Sequence, residues 1–165
     1  MSKSRNIRQW KNQIMSELSQ DDEIIKALDL NEKESEDDLI WNRLFPHYYI
    51  PDVQETVKSY ILMEIDIPER RANRYSSNSG VFVYPTIIFY VLVHQDDMHM
   101  DLVGESGTRM DYLAELIEEK YEGRQGFGVG TLTLKSDVAG SLNTPYRYRQ
   151  LVFEAVDTDE GLCLN

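Results

Sequence analysis

The amino-acid sequence predicts an α+β domain with a mostly antiparallel sheet of about four strands and helices packed on one face. Two segments, near the N-terminus and around residues 108–121, have apolar residues at the three- and four-residue spacing of a helix. Other segments have the alternating or continuously apolar pattern of strands, and they come as two pairs with the later helix between them. This order excludes a parallel doubly wound sheet and favours an antiparallel one.

The first helix is predicted from four apolar residues that share one helical face: Ile7, Trp10, Ile14 and Leu18. Ser19 and Asp22 then have the spacing of a capping box, with Asp in place of Glu. They predict a second, short helix that contains Ile24, Ile25 and Leu28. An acidic surface loop is expected to follow, around residues 29–38.

The first pair of strands is predicted over residues 57–67 and 81–93. Residues 57–67 alternate between an apolar and a polar face, and Pro68 is expected to end that strand because proline cannot donate to the ladder. Residues 81–93 are apolar on both faces, which indicates a strand covered on both sides, with a bulge or an edge segment at Pro85. The connection at residues 69–80 is expected to be a long hairpin loop.

The later helix is predicted over residues 108–121, with Thr108 and Asp111 at its cap and Gly123 as a left-handed terminator. Its buried stripe consists of Met110, Leu113, Ile117 and Tyr121. A short strand at 131–136 and a longer one at 146–157 complete the predicted sheet. Residues 137–145 have the composition of a turn.

Size and charge limit the classes of function. The chain has 165 residues, which is the size of a single domain, and a formal net charge of −12. An acidic balance argues against a duplex-DNA binder, which neutralises phosphates with a basic face. The longest uncharged apolar run, residues 86–93, is too short to span a bilayer, and no apolar stretch follows the basic start as in a secretory signal. With Cys163 as the single cysteine, no disulfide framework is expected.

Three features suggest chemistry, and each has a plainer interpretation. The run His94–Gln–Asp–Asp–Met–His99 could supply metal ligands, but its spacing fits no common site and it follows a strand as a polar loop would. The sequence GFGVG at 126–130 lies after a helix and before a strand, the reverse of a dinucleotide-binding loop, and is better explained as a turn. Nothing near Cys163 would activate a nucleophile. We therefore expect no catalytic, cofactor-binding or metal-binding residues, and no enzymatic activity.

Arginine and tyrosine near strand ends are the best candidates for contacts with other proteins. Both residue types are enriched at interfaces. The candidates lie in the 69–80 loop, at the start of the later helix and in the last strand: Arg70, Arg71, Arg74, Tyr75, Arg109, Arg147 and Arg149. The alternative for the loop is a mobile segment whose arginines aid solubility, and the tyrosines of the last strand could instead complete the core.

The order of elements resembles the tail terminator, or tail completion, proteins of long-tailed bacteriophages. The resemblance extends from about residue 5 to residue 157 as topology. Its nearest approaches to motifs are the R-x-D-x-L helix start, at Arg109 and Asp111, and the final strand with Tyr148, Arg149 and Phe153. The family implies a structural virion protein in the tail or neck region, present in the host cytoplasm during assembly, without enzymatic activity or cofactor.

The resemblance also implies partners. They are further copies of the chain in a hexameric ring, the tail tube protein, and the head connector or stopper protein. DNA would pass through the lumen without specific binding, which suits an acidic chain, and no membrane is involved. Two alternatives stay open: another head-to-tail connector, such as a stopper or neck protein, and a small cytosolic ligand-binding α+β domain.

Overall fold

Within the residues that the structure describes, a five-stranded mixed sheet and three helices form the architecture. The computed structural model describes residues 3–28, 39–50, 57–72, 81–100, 102, 104–142 and 145–156. The helices are α1 (Lys3–Ser19), α2 (Asp22–Ala27) and α3 (Arg109–Tyr121), and a 3-10 turn spans Gln95–Asp97. The strands are β1 (Leu44–Phe45), β2 (Ser59–Ala72), β3 (Val81–His94), β4 (Thr131–Ser141) and β5 (Tyr146–Val156).

The strand order is β1-β2-β3-β5-β4. β1 pairs with β2 in parallel, and every other neighbouring pair is antiparallel. The predicted fold class is confirmed: the sheet is mostly antiparallel, and the helices cover one of its faces. The additional strand is β1, whose two residues are too few to produce an alternating pattern in the sequence.

The first and last helices match their predictions. Ile14 and Leu18 of α1 are completely buried, and Ile7 and Trp10 pack against the same core. In α3 the side chain of Thr108 accepts a hydrogen bond from the Asp111 N–H, as expected of an N-cap residue, and the predicted stripe is buried.

The predicted cap of the short helix is wrong. Asp21, not Ser19, caps α2, because its carboxylate accepts hydrogen bonds from the N–H groups of Glu23 and Ile24 at 3.1 and 3.2 Å. Ser19 is the last residue of α1, and its hydroxyl donates to the carbonyl oxygen of Ser16 at 3.0 Å. The acidic loop predicted around 29–38 lies outside the described residues.

Two predicted strand ends are also wrong. β2 continues through Pro68 to Ala72, because a register shift between Asp66 and Glu69 takes Pro68 out of the ladder opposite Pro85. The bulge expected near Pro85 is therefore present, and residues 69–72 of the predicted hairpin loop belong to the strand. β4 continues to Ser141, so most of the predicted 137–145 turn is strand as well.

The main core lies between the helices and the sheet. Its aromatic centre is formed by Phe89 of β3, Phe153 of β5 and Tyr121 of α3, with a stacked Phe89–Tyr121 pair 4.9 Å apart. Burial raises the pKa of the Tyr121 hydroxyl, and Glu17, which accepts its hydrogen bond, raises it further.

Two ion pairs join the first two helices to α3 and the loop that follows it. Arg124 donates to both oxygens of Glu17 at 2.5 and 2.6 Å, and Lys120 donates to Asp21 at 2.5 Å. Burial acts to raise the pKa of Glu17, but the hydrogen bonds from Arg124 and other partners outweigh burial and lower it below its ordinary value of 4.5. The pKa of Asp21 is lowered in the same way, with Lys120 as the main opposing partner to burial.

These lowered pKa values predict acid sensitivity. The native state binds fewer protons than the unfolded chain, so the stabilising contribution is present above about pH 4.5 and is lost as the pH falls through the native pKa. We expect Glu17→Gln to be less stable than the wild type at neutral pH, and the difference to shrink towards about pH 3. Urea unfolding across this range measures it, with exposed Glu119→Gln as the control. A constant difference between wild type and Glu17→Gln would contradict the assignment.

Candidate interaction surface

The face of the sheet opposite the helices carries a second apolar cluster. Because side chains alternate along a strand, the residues between the core positions of β2, β3 and β5 point to this face. Its buried members are Phe45, Tyr60, Leu62, Leu92 and Tyr146. Burial raises the pKa of the Tyr146 hydroxyl, and the neighbouring Tyr60 adds to the increase.

Cross-strand pairing arranges the tyrosines in rows. Tyr60, Leu92 and Tyr148 form one row across β2, β3 and β5, and Leu62, Tyr90 and Gln150 form the next. The amide of Gln150 donates to the Tyr90 hydroxyl at 2.8 Å, which fixes the orientation of that ring. The Tyr90 ring meets Tyr148 edge-on, with their centroids 6.2 Å apart.

We call this surface the aromatic face. It contains a shallow groove of about 310 Å³ lined by Tyr48, Leu62, Tyr90, Leu92, Leu142, Tyr148 and Gln150. Of the lining residues, Tyr48 is 43% exposed, and the nearby Val138, which lies in register with Gln150, is 52% exposed. Exposed aromatic and aliphatic groups around a groove are typical of a protein-binding surface.

Gly140 makes room for one wall of the groove. It lies opposite Tyr148 in the β4–β5 ladder, and a Cβ atom at this position would be 2.5 Å from the Tyr148 hydroxyl oxygen and pressed against the ring. The absence of a side chain therefore lets the Tyr148 ring lie across β4.

Tyr48 is positioned from the helical side of the molecule. Its backbone N–H donates to Glu64 Oε1 at 3.1 Å, and Lys11 of α1 donates to Glu64 Oε2 at 2.6 Å. Lys11 also donates to the Pro46 carbonyl oxygen at 2.7 Å. The Tyr48 ring then meets Tyr90 edge-on at 5.2 Å.

Arg109, predicted as an interface residue, is 5% exposed, and its guanidinium is engaged within the molecule. It donates to the carbonyl oxygens of Asp97 at 2.8 Å, His99 at 3.3 Å and Ala27, the last residue of α2. Arg43, also buried, donates to the next carbonyl along, that of Leu28. Two arginines thus satisfy the C-terminal carbonyl groups of α2, where a positive charge also suits the helix dipole.

The other predicted interface residues lie in three different settings. The Arg149 guanidinium pairs with Asp137 and Asp111, each at 2.7 Å, and the hydrogen bonds with Asp137 raise its pKa. Arg147 is exposed beside it on β5. Arg70 and Arg71 belong to the end of β2, whereas Arg74 and Tyr75 lie outside the described residues. Arg109 and Arg149, the two candidates whose side-chain contacts are described, therefore have different partners.

The histidine-containing run has structural roles. His94 is 7% exposed, and its Nδ1 accepts a hydrogen bond from the Asp96 N–H at 3.1 Å. Asp97 accepts from the Ser59 hydroxyl at 2.5 Å. Over the described part of the chain, no three His, Cys, Asp or Glu side chains come together as metal ligands. Cys163 lies outside that part.

The GFGVG segment is a turn between α3 and β4, as predicted. Gly128 has a φ of +76° and lies against the Val83 carbonyl oxygen and Pro85, where a Cβ atom would be 2.5 and 2.7 Å from them. Val129 N–H donates to the same Val83 oxygen at 3.1 Å. Gly128 thus serves a close backbone approach.

A sequence model of the YomW family matches residues 21–155, which is most of the chain. The chain belongs to the YomW family. One chain of a solved structure titled "Virion of native gene transfer agent (GTA) particle" is 12% identical, with a TM-score of 0.46, over 69% of this chain and 77% of that one. No curated protein sequence matches the chain. None of the helices described is long and apolar enough to cross a bilayer.

Sequence reasoning missed the aromatic face of this YomW-family chain. Its three groove tyrosines, Tyr48, Tyr90 and Tyr148, come from segments about 50 residues apart and meet only through strand pairing. A signal was present in the alternation of β5, where Tyr146 and Tyr148 share one face and Arg147 and Arg149 the other. The face with Tyr146 and Tyr148 is the aromatic face.

Proposed function

We propose that this YomW-family chain is a structural virion protein of a phage-type particle. Its finer role is that of a tail terminator, which forms a homo-oligomeric ring of six copies, caps the tail tube and joins it to the head connector. The observation that carries the proposal is the aromatic face. A groove with exposed tyrosine and aliphatic walls, on a sheet face that none of the described helices covers, is a surface for another protein.

Three further points support the proposal. The YomW family is associated with phages. The element order resembles tail terminators along most of the sequence, and the net charge of −12 suits a ring through which DNA slides without binding.

The polar groups most suited to chemistry have structural tasks, which supports a role without catalysis. His94, Asp97 and Arg109 each bind a backbone group or a neighbouring hydroxyl of the same molecule. Among the described residues, every fully buried side-chain nitrogen and oxygen has a hydrogen-bond partner. A buried polar group without a partner, which would mark a site built for a ligand, is not among them.

The aromatic face predicts the effect of removing its two outer tyrosines. We expect Tyr48→Ser combined with Tyr148→Ser to weaken binding to purified tail tubes by about tenfold or more, since aromatic anchors dominate interface energies. Tube binding is measured by co-sedimentation, and end-capping rings are counted by electron microscopy. Tyr112→Ser removes the same kind of side chain from the helical side and is the matched control.

The outcomes separate the alternatives. Wild-type protein that stays monomeric at high concentration and does not bind tail tubes would contradict the tail terminator role. Binding to the head connector without tube binding would favour a stopper or neck protein. A rise in melting temperature with zinc or a nucleotide would favour a small ligand-binding domain.

A further inference from the structure

β4 forms one edge of the sheet, and its two halves differ. The first half is closed by the loop after α3: Leu132 N–H donates to the Arg124 carbonyl oxygen at 2.8 Å, and Leu134 N–H donates to Glu122 Oε2 at 2.6 Å. The second half, after the register shift between Leu134 and Ser136, has no such cover in the described part of the chain.

The backbone groups of Asp137, Ala139 and Ser141 point away from β5. Leu142, the next residue, points towards β5, because its N–H donates to the Tyr146 carbonyl oxygen at 3.2 Å. In an antiparallel ladder the backbone groups of successive residues point alternately towards and away from the partner strand, so those of residues 141, 139 and 137 point away. Within the described residues, no hydrogen bond uses these outward N–H and C=O groups. All three residues are exposed to solvent. An edge of this kind is a template for an added strand.

The open half lacks two of the usual protections of an edge strand, lysine and proline. Natural edges are protected by lysine, proline, β-bulges or inward-pointing charge, and here the bulge, with Lys135 in it, lies at the start of the open half. Residues 136–141 contain neither lysine nor proline, and the single acid, Asp137, is paired with Arg149 at 2.7 Å. Val138, in the middle, is 52% exposed and adjoins the aromatic face. We call residues 137–141 the open edge.

We propose that the open edge accepts the second half of β2 from another copy of this chain. The proposal rests on the proposed function and describes how the ring closes. Among the described residues, β1 pairs with β2 only at Ile61 and Leu62, so no described strand lies beside the second half of β2. Its proline, Pro68, lies at the register shift, and Glu69–Ala72 follow it in the strand. β2 and β4 lie at opposite sides of the sheet and run in opposite directions, so a neighbour's β2 beside β4 continues the antiparallel order. Each copy then pairs its β4 with the β2 of one neighbour and its β2 with the β4 of the other neighbour, which is the head-to-tail contact of a ring.

Charge favours a second copy as the occupant. Four acids line an exposed depression of about 400 Å³ on α3 and at its end: Glu115, Glu118, Glu119 and Glu122. This depression adjoins the closed half of β4, because Glu122 binds the Leu134 N–H. An antiparallel β2 paired with the open edge continues towards these acids, and the residues that follow Pro68 in β2 include Arg70 and Arg71. The unpaired backbone groups of the open edge bind any added strand, and the four acids favour a strand that ends in basic residues, as β2 does.

The first experiment tests the edge. Ala139→Pro removes an outward N–H to which no described residue of the monomer is hydrogen-bonded. We therefore expect a folded protein whose self-association is at least about tenfold weaker, since several backbone hydrogen bonds are lost together. Val138→Lys places a lysine in the open edge, with the same expected loss, and decides the result if the proline variant misfolds. Thr131→Lys adds the same charge to the closed half and is the matched control. Sedimentation velocity measures association, and hydrogen exchange should show the Ala139 and Ser141 amides protected in assembled wild-type protein only.

The second experiment tests the occupant by exchanging charges. Arg70→Glu with Arg71→Glu, and Glu118→Lys with Glu119→Lys, should each lose self-association alone and regain it on mixing. Wild-type protein that forms rings while Val138→Lys forms them equally well, with the Ala139 and Ser141 amides unprotected, would overturn the edge and leave the proposed function intact. Wild-type protein that associates neither with itself nor with tail tubes would overturn both.

Discussion

Replacing Arg109 by methionine is expected to lower the free energy of unfolding by about 3 kcal/mol. The guanidinium is 5% exposed and donates to three carbonyl oxygens, those of Ala27, Asp97 and His99. Methionine fills most of the volume but provides no donor, so one buried acceptor, the Ala27 carbonyl oxygen, and two partly buried ones lose their partner. The variant also leaves the Asp97 carboxylate, which is 3.6 Å from Arg109 Nε, without its positive neighbour.

Urea unfolding followed by circular dichroism measures the loss. Arg147→Met is the matched control, because Arg147 is exposed on β5, and its cost should stay within about 0.5 kcal/mol. Equal stability of Arg109→Met and Arg147→Met would contradict the structural role of Arg109. If Arg109→Met unfolds at the same urea concentration as the wild type but associates less, Arg109 contributes to an interface, as predicted from the sequence.

The Gly128→Ala variant is expected to lose about 3 kcal/mol of stability. Two costs add: an L-residue at a φ of +76° is strained, and its Cβ would lie 2.5 Å from the Val83 carbonyl oxygen. The neighbouring atoms are backbone and a proline ring, which cannot turn away as a flexible side chain would.

Gly126→Ala separates the two costs. Gly126 has a φ of +103°, and no atom lies within 4 Å of the position that an alanine Cβ would take there, so only the conformational part, about 1 kcal/mol, should appear. Thermal unfolding of both variants gives the difference. If Gly126→Ala and Gly128→Ala lose the same amount, the close approach to Val83 has no energetic weight.

The sequence was sufficient for features that depend on local patterns. α1 and α3 were predicted because each has an apolar stripe, and α3 also has a cap and a terminating glycine. The strand pairs were recognisable from composition and alternation, and from these the fold class followed. The short helix was found, but its cap was misplaced because the sequence does not show that the Ser19 hydroxyl is used by α1 itself.

Features that depend on contacts between distant residues were not predictable. The predicted β4 ends too early because residues 137–141 have the composition of a turn. Gly140 is required there only because the Tyr148 ring lies beside it. The intramolecular contact of Arg109 is not predictable either, because nothing local indicates that the carbonyl oxygen of Ala27 lies next to it. The groove tyrosines meet through register alone, and register is a property of paired strands and not of one segment.

The carboxylate of Glu64 links the two layers of the molecule around the edge of the sheet. One of its oxygens is held by Lys11 from the helical layer, and the other holds the Tyr48 backbone at the rim of the groove. The position of the Tyr48 backbone at the groove therefore depends on a side chain of the first helix. A substitution at Lys11, on the helical side, is thus expected to displace Tyr48 on the opposite face of the sheet.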